Sequence, residues 1–141
     1  MKAEPFVIER TYNAPIQKVW EAITDKNEMK KWYFDLEEFK PEAGFEFRFW
    51  GGTEENQYLH ICTITEVIPG RKLAHTWTYD GYTGETTVTF ELFDEGDGKT
   101  KIKLTHAGLE TFPPLPDFAR TNFEQGWTHI IGTSLADYLT K

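Results

Sequence analysis

The sequence is short of three things. It holds one cysteine, Cys62, and a lone thiol excludes an internal disulfide and a thiolate metal cluster. It has no apolar run near the ~18 residues of a spanning helix, so no membrane insertion is expected. It lacks positive charge: 15 Lys and Arg stand against 23 Asp and Glu, a formal net charge of −8. Phosphate backbones and anionic membranes are bound by clustered cations, so nucleic acid is not an expected partner. The opening Met1-Lys2-Ala3-Glu4-Pro5 lacks the apolar stretch of a secretory signal. The sequence therefore predicts a cytoplasmic protein. No glycine-rich phosphate loop is legible, because Gly51-Gly52 and Gly96-Asp97-Gly98 read as hairpin turns. No cofactor is expected.

What is abundant is aromatic. Phe, Tyr and Trp make up 16% of 141 residues, and such rings either over-fill a core or line a cavity. The length is that of one domain, residues 1–141, without linker or repeat.

Periodicity gives the order of elements. Residues 6–12 read as a strand with Phe6, Ile8, Arg10 and Tyr12 on one face. Asn13 is the expected N-cap of a short helix, with Pro15 in its first turn and Ile16, Val19, Trp20 and Ile23 on its buried face. Residues 24–27 break it, and 28–32 form a second short helix. Strands follow over 45–50, 58–67, 73–79, 86–93 and 101–106; 58–67 is rich in β-branched residues and ends at Pro69-Gly70, and the others alternate between two faces. Residues 107–117 hold three prolines and read as a loop. A final helix of about 22 residues at 1.5 Å each begins near Phe118. Its Gly126 and Gly132 predict close packing against neighbours. Strands in a run, with helices set to one face, give an α+β fold. A curled antiparallel sheet with a long helix across its concave face is a helix grip.

Several strings sit on this frame: Ala14-Pro15 with Val19-Trp20, then Trp32; Glu66-Val67 with Pro69, Arg71, Leu73 and Trp77; Leu104-Thr105-His106 with Gly108; and Gly126-Trp127. Together, over about residues 6–139, they resemble the START-like (SRPBCC, helix-grip) superfamily. Within it the resemblance is to the C-terminal-like domain of the activator of heat-shock protein 90 ATPase. That resemblance implies a single-domain protein with a hydrophobic cavity between the C-terminal helix and the sheet. It implies lipid-like or other apolar ligands, and related branches cyclise or hydrolyse small substrates. A chaperone partner is a second implied role.

The expected cavity wall is Phe47, Phe49, Trp77, Tyr79, Phe90, Phe123, Trp127 and Ile131, with His75, His106 and Arg10 as polar anchors. The opposing expectation is that these rings close on one another at near-crystal density. His75 and His106 face inward by alternation; each is either a satisfied core histidine or a group that orients a ligand. Arg10, if inward, needs an anionic partner. Phe112 and Leu115 would cap the core or act as a lid. No histidine pair has the i, i+4 spacing of a helical zinc site. No acid/base pair is visible either, so the sequence favours binding of a small apolar or aromatic molecule over catalysis.

Overall fold

The computed structural model describes residues 4–33, 38–52 and 57–139. Strand β1 (Phe6–Tyr12) leads into helices α1 (Ile16–Thr24) and α2 (Lys26–Trp32). Strands β2 (Glu46–Gly52), β3 (Gln57–Ile68), β4 (Lys72–Tyr79), β5 (Thr86–Gly96) and β6 (Lys99–Ala107) follow. Two 3₁₀ turns (Leu109–Thr111 and Pro116–Phe118) precede helix α3 (Arg120–His129), a π-helical turn (Ile130–Ser134) and helix α4 (Leu135–Leu139).

The six strands form one sheet in the order β1-β6-β5-β4-β3-β2. Every neighbouring pair is antiparallel. Strands 2 to 6 are a meander, and β1 closes on β6 with Phe6 opposite His106 and Tyr12 opposite Thr100. Helices α1 and α2 therefore connect the two edges of the sheet. Register shifts between Ile64 and Glu66 and between Asp94 and Gly96 are bulges, which sharpen the twist and curl the sheet. The fold is the α+β helix grip expected.

Local details differ from the periodicity reading. Pro15, not Asn13, is the N-cap of α1, and its carbonyl accepts from the Lys18 and Val19 amides. Asp25 alone separates the two helices: it ends α1, and its carboxylate accepts from the Asn27 amide at 2.8 Å. That side-chain cap lets α2 begin two residues before Glu28. Gly51 and Gly52 lie in β2, paired with Tyr58 and Gln57; of the expected turn, 53–56 lies outside the described residues. The tight turn between β5 and β6 is Asp97-Gly98, both with positive φ (55° and 72°), the backbone that a two-residue hairpin demands.

The C-terminal helix is not a uniform α-helix. The Leu135 amide reaches back five residues to the Ile130 carbonyl. Beside it the Tyr12 hydroxyl donates to the Ile131 carbonyl at 2.5 Å. An inserted side-chain donor is a known cause of such a turn. The glycines of this helix also depart from expectation. A Cβ on Gly126 would meet nothing within 4 Å, so no close packing explains it. A Cβ on Gly132 would sit 3.6 Å from Nε of Arg10.

At the other end of the grip, the proline-rich segment caps the core. Phe112 is buried and stacks on Phe123 at 5.5 Å, while Leu115 stays exposed. Gly84 (φ 111°) makes this possible, because a Cβ there would lie 2.7 Å from both Phe112 and the Thr111 carbonyl.

Candidate functional site

Alternation along the strands carries Phe47, Phe49, His75, Trp77, Tyr79, Phe90 and His106 to the concave face, and all seven are buried. The helix brings Phe123, Trp127 and Ile131 down onto them, also buried. The rings form one continuous network. Phe47 stacks on Phe49 at 6.3 Å, Phe49 meets Trp77 edge-on at 5.7 Å, and Trp77 meets Trp127 edge-on at 5.5 Å. Most of the expected cavity wall is therefore ring packed on ring.

Arg10 departs from the expected site. It is exposed, and its guanidinium donates to the neighbouring Glu9 carbonyl at 2.7 Å. Strand β1 is a sheet edge, and Gly132 of the helix faces Arg10. The long side chain runs past that glycine and keeps its charge in water.

The histidines divide sharply. His106 has both ring nitrogens engaged. Trp127 Nε1 donates to its Nδ1 at 3.0 Å, so Nδ1 carries no proton. The Thr86 hydroxyl donates to the Trp77 carbonyl at 2.7 Å and thus accepts from His106 Nε2 at 2.8 Å. A second ring proton would confront the Trp127 N–H. Burial, with His75 nearby, pushes the His106 pKa down to about 3. His106 is a structural, neutral histidine. His60, which alternation also turns inward, is buried between Phe49 and Tyr79, and burial pushes its pKa down to about 4. The strand pattern of Tyr58, His60, Cys62 and Ile64 carried that signal.

His75 is different. Its Nδ1 lies 2.8 Å from the Thr76 carbonyl. A carbonyl only accepts, so Nδ1 bears the proton and Nε2 presents a lone pair. Burial pushes the His75 pKa down to about 4. His75 forms part of the wall of an internal void of about 10 Å³, the space of about one water molecule. Phe47 and Phe90 also line it, so three of the expected site residues meet there. The rest of the wall is Ile23 of α1, Met29 and Trp32 of α2, Tyr33, Phe39 and Leu73.

Trp32 and Tyr33 have a second side. They also line a solvent-open groove of about 730 Å³ between α1, α2 and the C-terminal helix, with Lys18, Lys31, Ser134, Asp137 and Tyr138. Trp32 is fixed by its Nε1 donating to the Ala22 carbonyl at 2.9 Å. Tyr33 stacks on Trp32 at 5.0 Å and on Trp127 at 6.3 Å. Two rings thus separate the groove from the void. Tyr33 was not singled out by periodicity, since its position depends on how α2 ends; the adjacent Trp32-Tyr33 pair after a short helix was the only signal.

Among the described residues, the wall of the void holds no carboxylate, serine or cysteine. Cys62 is buried, and burial raises its thiol pKa well above the usual value, which makes it inert. Among the described residues, no group of three or more His, Cys, Asp or Glu stands placed to hold a metal ion. None of the described helices is long and apolar enough to cross a membrane.

The sequence matches the family described as "Activator of Hsp90 ATPase homolog 1-like protein" over residues 13–140. The chain belongs to this family. Solved structures agree with the architecture. The Mll3558 protein of Rhizobium loti is similar at 21% identity and TM-score 0.80, with 96% of each chain covered. Protein CV1439 of Chromobacterium violaceum is similar at 19% identity and TM-score 0.79, with 98% of each covered. DynU16, a protein of the dynemicin biosynthetic locus, is similar at 22% identity and TM-score 0.79. That alignment covers 99% of this chain, which spans 48% of DynU16. No curated protein sequence matches the chain.

Proposed function

We propose that this domain binds a small apolar or aromatic molecule between its C-terminal helix and its sheet. One observation carries the reading: an apolar void beside His75 and an open groove share the Trp32–Tyr33 pair as their common wall. A ligand resting in the groove reaches the void by turning Tyr33 aside. Burying about 150 Å² of apolar ligand surface returns about 4 kcal/mol, enough to offset the loss of one stacked ring. A cytoplasmic ligand pool is part of this proposal.

Native mass spectrometry of protein purified from its own host tests it. The expected result is an excess mass that disappears on denaturation. A bare chain that also leaves the fluorescence of the apolar dye N-phenyl-1-naphthylamine unchanged would overturn the reading.

A second reading follows from the family description: docking to a chaperone of the Hsp90 class. The net charge of −8 favours a basic partner surface. Pull-down with purified Hsp90 across a salt titration tests it, and no capture at low salt would overturn it. An enzymatic role has less support, because His106 is held neutral by its partners and no described residue of the void wall is an acid that could pair with His75.

A further inference from the structure

The inference concerns which chemical class the void selects, and it rests on the binding reading above. His75, Val88 and His106 stand in one row across β4, β5 and β6. His106 has both nitrogens engaged by Thr86 and Trp127. His75 has one, through Nδ1 to its own strand's Thr76 carbonyl. Among the described residues no hydrogen bond reaches Nε2 of His75. The ring is 2% exposed and is flanked by Phe47 edge-on at 5.1 Å, Trp77 at 6.2 Å and Phe90 at 6.2 Å. Its remaining polar atom is thus an acceptor in an apolar wall.

We propose that the ligand enters the void with an uncharged hydrogen-bond donor, a phenol or alcohol hydroxyl, which donates to Nε2 of His75. A carboxylate end is refused on two grounds. It brings lone pairs against a lone pair, and among the described residues no cation lines the void to replace its lost hydration. An ammonium end meets no carboxylate among the described lining residues. Charge belongs to the other end of the ligand, because Lys18, Lys31 and Asp137 all line the groove. The site therefore reads its ligand by polarity: a neutral donor at the buried end, with charged groups accepted only at the groove end.

The test uses three probes of one shape, 2-naphthol, 2-methylnaphthalene and 2-naphthoate, titrated into the full chain by ligand-observed NMR. The expected order is naphthol tighter than methylnaphthalene by roughly three- to tenfold, the range of one net hydrogen bond, with naphthoate the weakest. In the same samples the imidazole ¹⁵N spectrum reports the atom directly and needs no variant. The His75 Nε2 resonance, assigned through couplings to the ring protons, moves with naphthol and stays with methylnaphthalene. Equal binding of naphthol and methylnaphthalene, tightest binding of naphthoate, or naphthol bound with Nε2 unmoved each overturns the donor assignment and leaves the binding reading standing. Failure of all three probes to bind overturns the binding reading and this inference with it.

Discussion

His75 and His106 face the same way from the same row of one sheet, and they differ in almost everything else. His106 lies where β5, β6 and the C-terminal helix converge, and threonine and tryptophan partners arrive from both sides. His75 lies where α1, α2 and the β2 edge meet, and apolar rings surround it. The first setting is complete without a ligand. The second has an acceptor and a void. The lesson is that alternation tells which face a side chain takes, while the elements packed over that face decide what it does.

The largest expected effect tests whether these histidines are buried as neutral rings. His60, His75 and His106 have native pKa values pushed down to about 4, 4 and 3, against about 6.5 in an unfolded chain. The unfolded state therefore binds more protons below pH 6.5, and stability falls as pH drops toward the native values. Each histidine contributes a slope of at most about 1.4 kcal/mol per pH unit, so three together reach about 4. Urea unfolding at pH 7, 6 and 5 measures this. A flat profile would show that the rings are hydrated and that the comparison has no basis.

The next effect separates the two histidines. His106→Phe strands the Trp127 N–H in the core and is expected to lose about 2–3 kcal/mol. His75→Phe gives up one local bond to its neighbour's carbonyl and is expected to lose about 1 kcal/mol. Denaturant titration of both variants at pH 7 reads the difference, and equal losses would break the contrast. Tyr33→Ala removes part of the wall between groove and void. It is expected to cost about 2 kcal/mol while tightening N-phenyl-1-naphthylamine severalfold, read by dye fluorescence. Weaker dye binding would mean that Tyr33 is part of the ligand surface rather than its barrier. The smallest effect belongs to Arg10→Ala, within about 0.5 kcal/mol by thermal unfolding, as for other exposed side chains. A loss of 2 kcal/mol or more would return Arg10 to the core.

Much of this was legible in the residues. The order of elements followed from periodicity, and the inward faces of Phe47, Phe49, His75, Trp77 and His106 followed from alternation. Arg10 was misplaced because alternation gives a direction and says nothing of how much covers it; at a sheet edge opposite Gly132, little does. The site was only partly legible. Phe47, His75 and Phe90 were on the expected wall, but Trp32 and Tyr33, which divide groove from void, owe their positions to a cap at Asp25 and a stack on Trp127. Those are tertiary facts about an irregular helix end, where no period operates.

The π turn has a consequence in phase. The side chains that the long helix buries deepest are Phe123, Trp127, Ile131, Leu135 and Leu139, every fourth residue. At 100° per residue a regular α-helix would carry the last of these about 160° past the first. That would point one end of the row at the sheet and the other nearly at solvent. The turn at Ile130–Ser134 absorbs about one residue of rotation and reduces the drift to about 60°. It works as an intercalated day does in a calendar, returning a count of four to a cycle of 3.6. Straightening the turn with every residue kept would dephase the two halves, whereas deleting Gly132 would remove the extra residue and leave the row in phase.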